Sequence, residues 1–148
     1  MRLLVFGGRD FGAHFVPPGN TEASALARAW NERERGIVHN WIAAALDWNS
    51  TDDIDTWLPP PRTVIITGGC PTGADNIATD WAVVHWVKFE TYSVDWDQHG
   101  RAAGPIRNQE MINTGKPDCA LGFPGGRGTA DMKRRVLVAK IRLIEYVP

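Results

Sequence analysis

The sequence contains few of the features that would assign it to a specialised class. Its 148 residues include only two cysteines, Cys70 and Cys119, and neither belongs to a Cys-x-x-Cys pair or to a Cys/His cluster with metal-ligand spacing. The four histidines share no such spacing with cysteines or carboxylates either. We therefore predict two reduced thiols, no metal site and no bound cofactor.

Long apolar runs and an excess of charge of one sign are also absent. No run approaches the roughly 20 apolar residues that span a membrane, and the first residues resemble a strand rather than a signal peptide. A formal net charge of -1 provides no global basic field for duplex nucleic acid. We expect a cytoplasmic protein without a membrane partner, and the charge argues against nucleic acid as a partner.

The sequence does contain a regular alternation of strand-like and helix-like segments. Strands are predicted at Arg2–Gly8, Arg62–Gly69, Lys88–Val94, Asp118–Gly126 and Lys140–Tyr146. Such alternation is typical of a parallel sheet with helical crossovers. The predicted fold is α/β, a Rossmann-like three-layer sandwich with a mainly parallel five-stranded sheet. We expect residues 1–148 to form a single domain, with an extended loop and a long helix at about 9–61.

The first predicted helix follows Thr21, which is placed to cap it. Apolar residues then recur at steps of three, four or seven, which predicts a buried stripe made of Leu26, Trp30, Ile37, Trp41, Ala45 and Trp48. A polar, proline-rich linker from Asn49 to Pro61 ends this unit.

Three further helices are predicted. Ile77, Trp81 and Val84 form one face of the second helix. The third helix carries Pro105 in its first turn, where the missing N–H costs nothing. The fourth helix runs from about Thr129 to Ala139, before the last strand.

Three of the predicted strands end in a pair of glycines. The pairs are Gly7-Gly8, Gly68-Gly69 and Gly125-Gly126. In open α/β sheets, ligands bind beyond the carboxyl ends of the strands, where the strand order reverses. If the first, second and fourth strands are neighbours, all three pairs line one crevice. Ordinary tight turns are the alternative, but three pairs at matching strand ends favour a ligand crevice.

The segment PGGRGT, residues 124–129, has the composition of a phosphate-binding loop. Glycine N–H groups approach an anion closely, and a helix N-terminus adds unsatisfied N–H groups and partial positive charge. Arg127 is placed to hold phosphate oxygens, and Thr129 to donate a hydrogen bond or to cap the helix.

The segment TGGCPTGAD, residues 67–75, repeats this chemistry. Thr72 and Gly73 open a helix there, and Asp75 is placed to accept a hydrogen bond from a ribose hydroxyl. Neither segment is a Walker A or GxGxxG motif, which argues against phosphoryl and hydride transfer. Structural glycines without a ligand remain the alternative.

Charged residues accompany the glycine turns. On a helix starting at Pro105, Arg107 and Glu110 lie on one side, either facing the crevice or forming a surface ion pair of little energetic value. Arg9 and Asp10 follow the first glycine pair, where they either contact a ligand or pair with each other.

Four segments together resemble the YspA/YpsA-related branch of the SLOG superfamily: VFGGRD, ITGGCPTGAD, DWDQHGRAAGPIRNQEM and GFPGGRGTADM. The resemblance covers both ends and the second half of the chain, whereas the segment from Arg9 to Pro61 is not matched. It implies a Rossmann-like sheet, a homodimer or higher homo-oligomer, and a crevice for nucleotides or nucleotide-derived molecules. Many members are proposed sensors or binders of such molecules.

The motifs and the resemblance together give one set of candidate ligand-binding residues. These residues are Gly7, Gly8, Arg9, Asp10, Gly68, Gly69, Thr72, Gly73, Asp75, Arg107, Asn108, Pro124, Gly125, Gly126, Arg127, Gly128 and Thr129.

The chain is also distantly similar to the Lonely Guy phosphoribohydrolases, which split a nucleoside 5′-monophosphate into base and ribose 5-phosphate. Their signature pairs R-K-x-x-M with P-G-G-x-G-T-x-x-E. This chain keeps the Arg as Arg107 and the Met as Met111, but has Asn108 where Lys is usual. Met132 stands where the family has its catalytic Glu.

The missing Glu bears on whether the chain is an enzyme. Thr-x-x-Glu is also a capping box, which would place that Glu at the third helical position, facing the site. The neighbouring Asp131 points about 100° away on a helix and is shorter than Glu. If the chain is an enzyme, the candidate catalytic residues are Arg107, Glu110 and Asp131. The absence of the family's catalytic Glu favours ligand binding over hydrolysis.

Three functions therefore remain after the sequence is read. The first is a nucleotide-binding sensor or sequestering protein, and the second is a nucleoside 5′-monophosphate phosphoribohydrolase. The third is single-stranded nucleic-acid binding, because the DNA-processing protein DprA has a related fold. Lys133–Arg135 offers a basic patch for it, although a solvated helix face explains that patch equally well.

The loop from Arg9 to Asn20 is predicted to lie over the crevice, because it follows the first strand. Phe11, His14 and Phe15 either form a lid that stacks on a base or pack against a dimer partner. Their position favours the lid.

Overall fold

The computed structural model describes residues 1–46 and 62–148. Trp48, which was predicted to belong to the buried stripe of the first helix, and the predicted linker from Asn49 to Pro61 lie outside the described residues. None of the helices in the described ranges is long and apolar enough to cross a membrane.

Strands and helices alternate along the chain, as the sequence predicts. The strands are β1 (Arg2–Phe6), β2 (Val64–Thr67), β3 (Lys88–Thr91), β4 (Cys119–Gly122) and β5 (Arg142–Glu145). The helices are α1 (Glu22–Ala45), α2 (Gly73–Val84), α3 (Trp96–His99), α4 (Ala103–Asn113) and α5 (Arg127–Val138), with a 3₁₀ turn at Gly100–Ala102 between α3 and α4.

The five strands form one sheet in the order β3-β2-β1-β4-β5, and every neighbouring pair is parallel. Leu3 of β1 pairs with Ile65 of β2 on one side and with Cys119 of β4 on the other. The prediction that the first, second and fourth strands are neighbours is confirmed. The strand order reverses between β1 and β4, which makes their carboxyl ends the switch point of the sheet.

Helices cover both faces of this sheet, which confirms the Rossmann-like sandwich. Successive strand residues point to opposite faces. Val5 and Leu121 pack on one face with residues of α1 and α2, including Trp81. Leu4 packs on the other face with residues of α4 and α5, including Met132. Because both faces of the central strands are covered, these strands are continuous apolar runs rather than alternating ones.

Helix α1 begins where the sequence predicts, but it buries a different stripe. The hydroxyl of Thr21 accepts from the N–H of Ser24 at 3.1 Å, and the hydroxyl of Ser24 accepts from the N–H of Thr21 at 3.0 Å. The fully buried apolar residues are Val38 and Ile42 rather than the predicted stripe. Ile37, Trp41 and Ala45 pack against the core only in part, and Leu26 and Trp30 are 57% and 56% exposed.

The length of α1 explains why the predicted stripe is not buried along the whole helix. A helix of 24 residues is about 36 Å long, whereas a five-residue strand spans about 17 Å. Only the carboxyl-terminal half of α1 therefore overlies the sheet. Its amino-terminal half extends past the strands, toward the switch point.

Helix α2 needs a smaller correction. Ile77 and Trp81 are buried as predicted, but Val84 is 68% exposed. The packed face ends at Ala82, because Val84 is the last residue of α2 and the chain leaves the helix there to enter β3.

Candidate functional site

The turns after β1 and β4 are in direct contact at the switch point. The N–H of Gly8 donates a hydrogen bond to the carbonyl of Pro124 at 2.8 Å. A side chain on Gly125 would lie 2.6 Å from the nitrogen of Gly8 and would also collide with the Thr129 hydroxyl. The second glycine of one pair and the first glycine of the other thus allow the two backbones to touch.

The turn after β2 packs against the same place. Gly73 has a φ of +77°, and a side chain there would collide with the carbonyl oxygen of Gly8 and lie 2.8 Å from the Cα of Arg9. Gly69 has a φ of +66°, in the same left-handed region. The three glycine-rich turns therefore meet at the carboxyl edge of the sheet, where a common crevice was predicted.

Two helix N-termini open at this edge without side-chain caps. Thr72 is the N-cap of α2 and Gly126 the N-cap of α5, and neither makes a side-chain cap hydrogen bond. The first N–H groups of both helices are thus left without a capping side chain, and such groups carry partial positive charge. An anion placed here would receive both the hydrogen bonds and the favourable dipole.

The start of α5 differs from the sequence prediction. The helix begins at Arg127, two residues before Thr129, so Gly126 rather than Thr129 is the N-cap. Thr129 is then the third helical position and Met132 the sixth, and no Thr-x-x-Glu capping geometry exists. Met132 is 2% exposed and packs in the core against the sheet. The aligned position therefore points into the protein interior rather than into the crevice.

Open space lies above the loop at the start of α5. A side chain added to Gly126 or Gly128 would meet no protein atom within 4 Å. Arg127 between them is exposed and forms no ion pair with another described residue. Packing within the described chain thus gives no reason for a glycine at position 128, although a helical glycine costs about 0.5–1 kcal/mol relative to alanine.

A buried carboxyl and a half-buried guanidinium meet over Gly68. The Arg107 guanidinium donates to the Gly68 carbonyl at 2.5 Å, and the N–H of Cys70 donates to the Asp75 carboxyl at 3.5 Å. Burial raises the pKa of Asp75 to about 6, against the opposing charge of Arg107. Burial also lowers the pKa of Arg107, and here Asp75 opposes the shift. Crevice residues with perturbed pKa values are typical of functional sites.

Asn108 links this cluster to the first turns of α5. Its side-chain oxygen accepts from Arg107 Nε at 3.1 Å, and its side-chain nitrogen donates to the Gly128 carbonyl at 3.2 Å and to Asp131 at 3.0 Å. Asn108 is 3% exposed. A lysine, with donors only, could not accept from Arg107 in this way.

Asp131 is held by basic neighbours on its own helix. Its carboxylate accepts from Arg135 at 2.7 Å and from Arg134 at 2.8 Å, besides Asn108. Burial alone would raise the pKa of Asp131, but the hydrogen bonds from Arg135, Asn108 and Arg134 lower it to about 2. Glu110, the other candidate carboxylate, is exposed on α4.

At Phe11 the structure contradicts the lid predicted for the loop after β1. Phe11 is 7% exposed, and its ring centroid lies 5.4 Å from that of Phe123 and 5.9 Å from that of Tyr146. The ring belongs to the core and is not available to stack on a base. His14 is fixed to α1 through Glu34, at 2.7 Å, whereas Phe15 is 81% exposed.

Beside the glycine turns lies a cleft of about 530 Å³. Its walls are the turns after β1 and β4, the middle of α1 from Trp30 to Ile37, and the last residues, Tyr146 and Pro148. Among its lining residues are Trp30, Arg33 and Glu34 of α1, which the sequence analysis did not assign to the site. In the sequence these residues are marked only by their helical spacing of three or four positions. Such spacing predicts core packing as readily as a cleft wall.

Among the described residues, no group of three or more His, Cys, Asp or Glu side chains is placed to hold a metal ion. Cys119 is buried, Cys70 is partly buried, and both are free thiols.

The strand order and the glycine-rich strand ends define a Rossmann-like α/β protein. The sequence model of one such family, described as the YspA, cpYpsA-related SLOG family, matches residues 1–99. The chain belongs to this family, which indicates a nucleotide-related function. The match includes residues 9–61, so the prediction that this segment lies outside the resemblance is wrong.

The chain is also similar to a curated phage protein. The chain is 34% identical over 116 residues to the gene 61 protein of Mycobacterium phage D29, and the alignment covers 72% of this chain and 88% of the relative. No solved structure matches the chain. The family match ends before Arg107 and the loop at residues 124–129, so the roles of those residues rest on their motifs and geometry.

Proposed function

We propose that this protein binds a nucleotide or nucleotide-derived molecule at the switch point of its sheet and acts as a sensor or sequestering protein. The phosphate would lie at the amino terminus of α5, between the glycine-rich turn and Arg127. The observation that carries the proposal is the open space above Gly126 and Gly128. It lies beside the N-terminus of α5, where the N-cap makes no side-chain cap hydrogen bond, and beside Arg127, which is exposed and forms no ion pair with another described residue.

We call Gly126, Arg127 and Gly128 the phosphate cradle. The residues around this cradle support the same ligand class. Arg107 adds a second cation near the crevice, held by Gly68 and Asn108. Asp75 is buried close to it and would accept a hydrogen bond from a ribose hydroxyl of the ligand. Membership of the SLOG family supports a nucleotide-related ligand.

The two candidate catalytic carboxylates, Asp131 and Glu110, favour binding over N-glycosidic hydrolysis. Cleavage requires a carboxylate that activates water or stabilises an oxocarbenium-like transition state. Asp131 is instead engaged by two arginines and Asn108, Glu110 is exposed, and Met132 is buried in the core. We therefore expect no free base when the protein is incubated with AMP, CMP or GMP. Base release that Arg107→Ala abolishes would reinstate the phosphoribohydrolase.

Calorimetry against AMP, ADP-ribose, NAD and a cyclic nucleotide tests the binding proposal. A ligand at about 100 times its Kd raises the free energy of unfolding by about 2.7 kcal/mol, so a thermal shift provides an independent readout. Arg127→Ala should weaken binding of the phosphate-bearing ligand without lowering stability, because Arg127 is exposed.

Arg101→Ala is the matched control, since Arg101 is also exposed but lies on the 3₁₀ turn, outside the loop before α5. It should bind as the wild type does. No binding of any of the four ligands at millimolar concentration would contradict the proposal.

A further inference from the structure

The cleft beside α1 is continuous with the proposed phosphate cradle. Gly8, Arg9, Gly125 and Gly126 line the cleft, and Gly126 is also the N-cap of α5. A molecule with its phosphate at that helix N-terminus therefore has the cleft as its adjoining space. The cleft volume of about 530 Å³ lies within the range of small-molecule sites, roughly 300–1,000 Å³.

The walls of the cleft combine an apolar floor with an aromatic side chain. Ile37 and Tyr146 line it, and both pack partly against the core. Trp30 lines the same cleft and is 56% exposed. Within the described chain its ring contact is with His14, edge to face, at 6.1 Å between centroids and 85° between planes. Because this contact is T-shaped, no aromatic ring of the described residues stacks parallel to the indole.

The position of Trp30 is set by a polar connection between α1 and the loop after β1. Glu34, one turn along α1, accepts from the N–H of Gly12 at 2.5 Å and pairs with His14 at 2.7 Å. Asn31 accepts from the N–H of His14 at 2.7 Å, and its side-chain nitrogen donates to the His14 carbonyl at 3.1 Å. These bonds hold the loop and the helix together, so the cleft has a formed wall.

We propose that this cleft binds the aromatic base of a nucleoside phosphate, with the base stacked on Trp30 and the phosphate at the start of α5. The inference rests on the proposed function and adds the residue that distinguishes a nucleotide from a sugar phosphate. An aromatic base suits this site because it is flat and apolar on its faces and polar at its edges. Arg33 and Glu34 in the cleft wall provide charged groups for such an edge.

The test compares ligands that share a phosphate but differ in the base. Binding of AMP, CMP and GMP is measured by calorimetry beside ribose 5-phosphate, which lacks a base. We expect at least one nucleotide to bind about tenfold more tightly than ribose 5-phosphate, a difference of about 1.4 kcal/mol, because an aromatic side chain stabilises a bound base by stacking. Trp30→Ala should remove this advantage and leave ribose 5-phosphate binding unchanged.

Two variants make the comparison specific. Trp30→Phe keeps an aromatic face and should retain most of the advantage. Trp86→Ala removes a tryptophan that is 93% exposed and does not line the cleft, so it should bind every ligand as the wild type does. Sedimentation of each variant reports whether Trp30 instead contacts a second copy of the chain.

The possible results separate this inference from the proposed function. If the nucleotides bind no more tightly than ribose 5-phosphate, or if Trp30→Ala binds them unchanged, the base subsite is wrong while the phosphate cradle stands. A change in association state on Trp30→Ala with unchanged nucleotide binding also overturns the subsite and assigns the surface to a second copy. If neither nucleotides nor ribose 5-phosphate bind, the proposed function fails and the subsite with it.

Discussion

The guanidinium of Arg107 donates a hydrogen bond to the carbonyl of Gly68 at 2.5 Å. It occupies the space that a side chain on Gly68 would need. A methyl group on residue 68 would overlap this guanidinium and lie 2.8 Å from the Asp75 carboxyl. The absence of a side chain at Gly68, just after β2, thus leaves space for the Arg107 side chain of α4. The two residues are 39 positions apart in sequence.

Gly68→Ala should therefore displace Arg107 from the crevice. Because a long side chain can move aside, we expect only a small loss of unfolding free energy, together with weaker binding of the nucleotide that the wild type binds. Calorimetry and urea unfolding measure the two effects separately. Arg107→Ala serves as the comparison, and a Gly68→Ala protein that binds as the wild type does would contradict a role for Arg107 in the ligand site.

A second prediction contrasts two glycines. Gly73→Ala should lower the free energy of unfolding by about 2 kcal/mol or more, because a left-handed φ strains a non-glycine residue and the methyl group would collide with the backbone of Gly8. Gly128→Ala should instead raise it by about 0.5–1 kcal/mol, because Gly128 is helical and its methyl group would enter open space.

Ligand affinity should separate from stability at Gly128. The methyl group would occupy the space assigned to the phosphate, so Gly128→Ala is expected to be more stable and to bind more weakly. Thermal unfolding and calorimetry on the same preparation check both. Unchanged affinity would show that no phosphate approaches this glycine.

A third prediction tests how the loop after β1 is anchored. Phe11→Ala should cost about 3–5 kcal/mol of unfolding free energy, because the ring is buried against Phe123 and Tyr146. Phe15→Ala should change it by less than about 0.5 kcal/mol, because that ring is 81% exposed. Urea denaturation of the pair measures both values, and equal effects would mean that Phe11 does not anchor the loop in the core.

A fourth prediction concerns acid stability through Asp131. Its pKa falls from 3.8 to about 2 on folding, so between these values the unfolded chain binds more protons than the folded one. The stabilisation is therefore present above about pH 4 and lost as the pH falls toward 2. For this side chain, which is 19% exposed, the shift corresponds to about 2 kcal/mol.

Asp131→Asn should remove most of this dependence, so that its difference from the wild type is larger at pH 7 than at pH 2. Urea unfolding at both values tests the sign. Asp97→Asn is a suitable control, because Asp97 is exposed and should leave the pH profile unchanged. A profile of Asp131→Asn that parallels the wild type would assign the acid sensitivity to other groups.

Several features of the fold were predictable from local sequence. The three central strands, β1, β2 and β4, were recognisable because buried parallel strands are continuous apolar runs. The start of α1 was recognisable because Thr21 provides cap chemistry. The buried stripe of α1 was not. Periodicity identifies one side of a helix, but it does not say how much of the helix overlies a sheet, which is why Trp30 was predicted to be buried and is 56% exposed.

The candidate site was likewise predictable from the sequence only in part. The glycine pairs at the strand ends were visible in sequence because each pair lies beside its own strand. That Gly8 touches Pro124, and that Asn108 bridges Arg107 to the carbonyl of Gly128, depends on the sheet order and on helices distant in sequence. The cleft at Trp30 and Glu34 likewise exists only because α1 extends past the strands.

The sequence by itself determined the alternation of strands and helices, the glycine-rich turns and the missing glutamate, because each depends on residues adjacent along the chain. Tertiary structure decided where those turns meet, that Met132 faces the core, and that Phe11 packs beneath the loop rather than above the crevice. The physical reason is that a helix start displaced by a single residue rotates every later side chain by about 100°, and only packing against the sheet fixes that rotation.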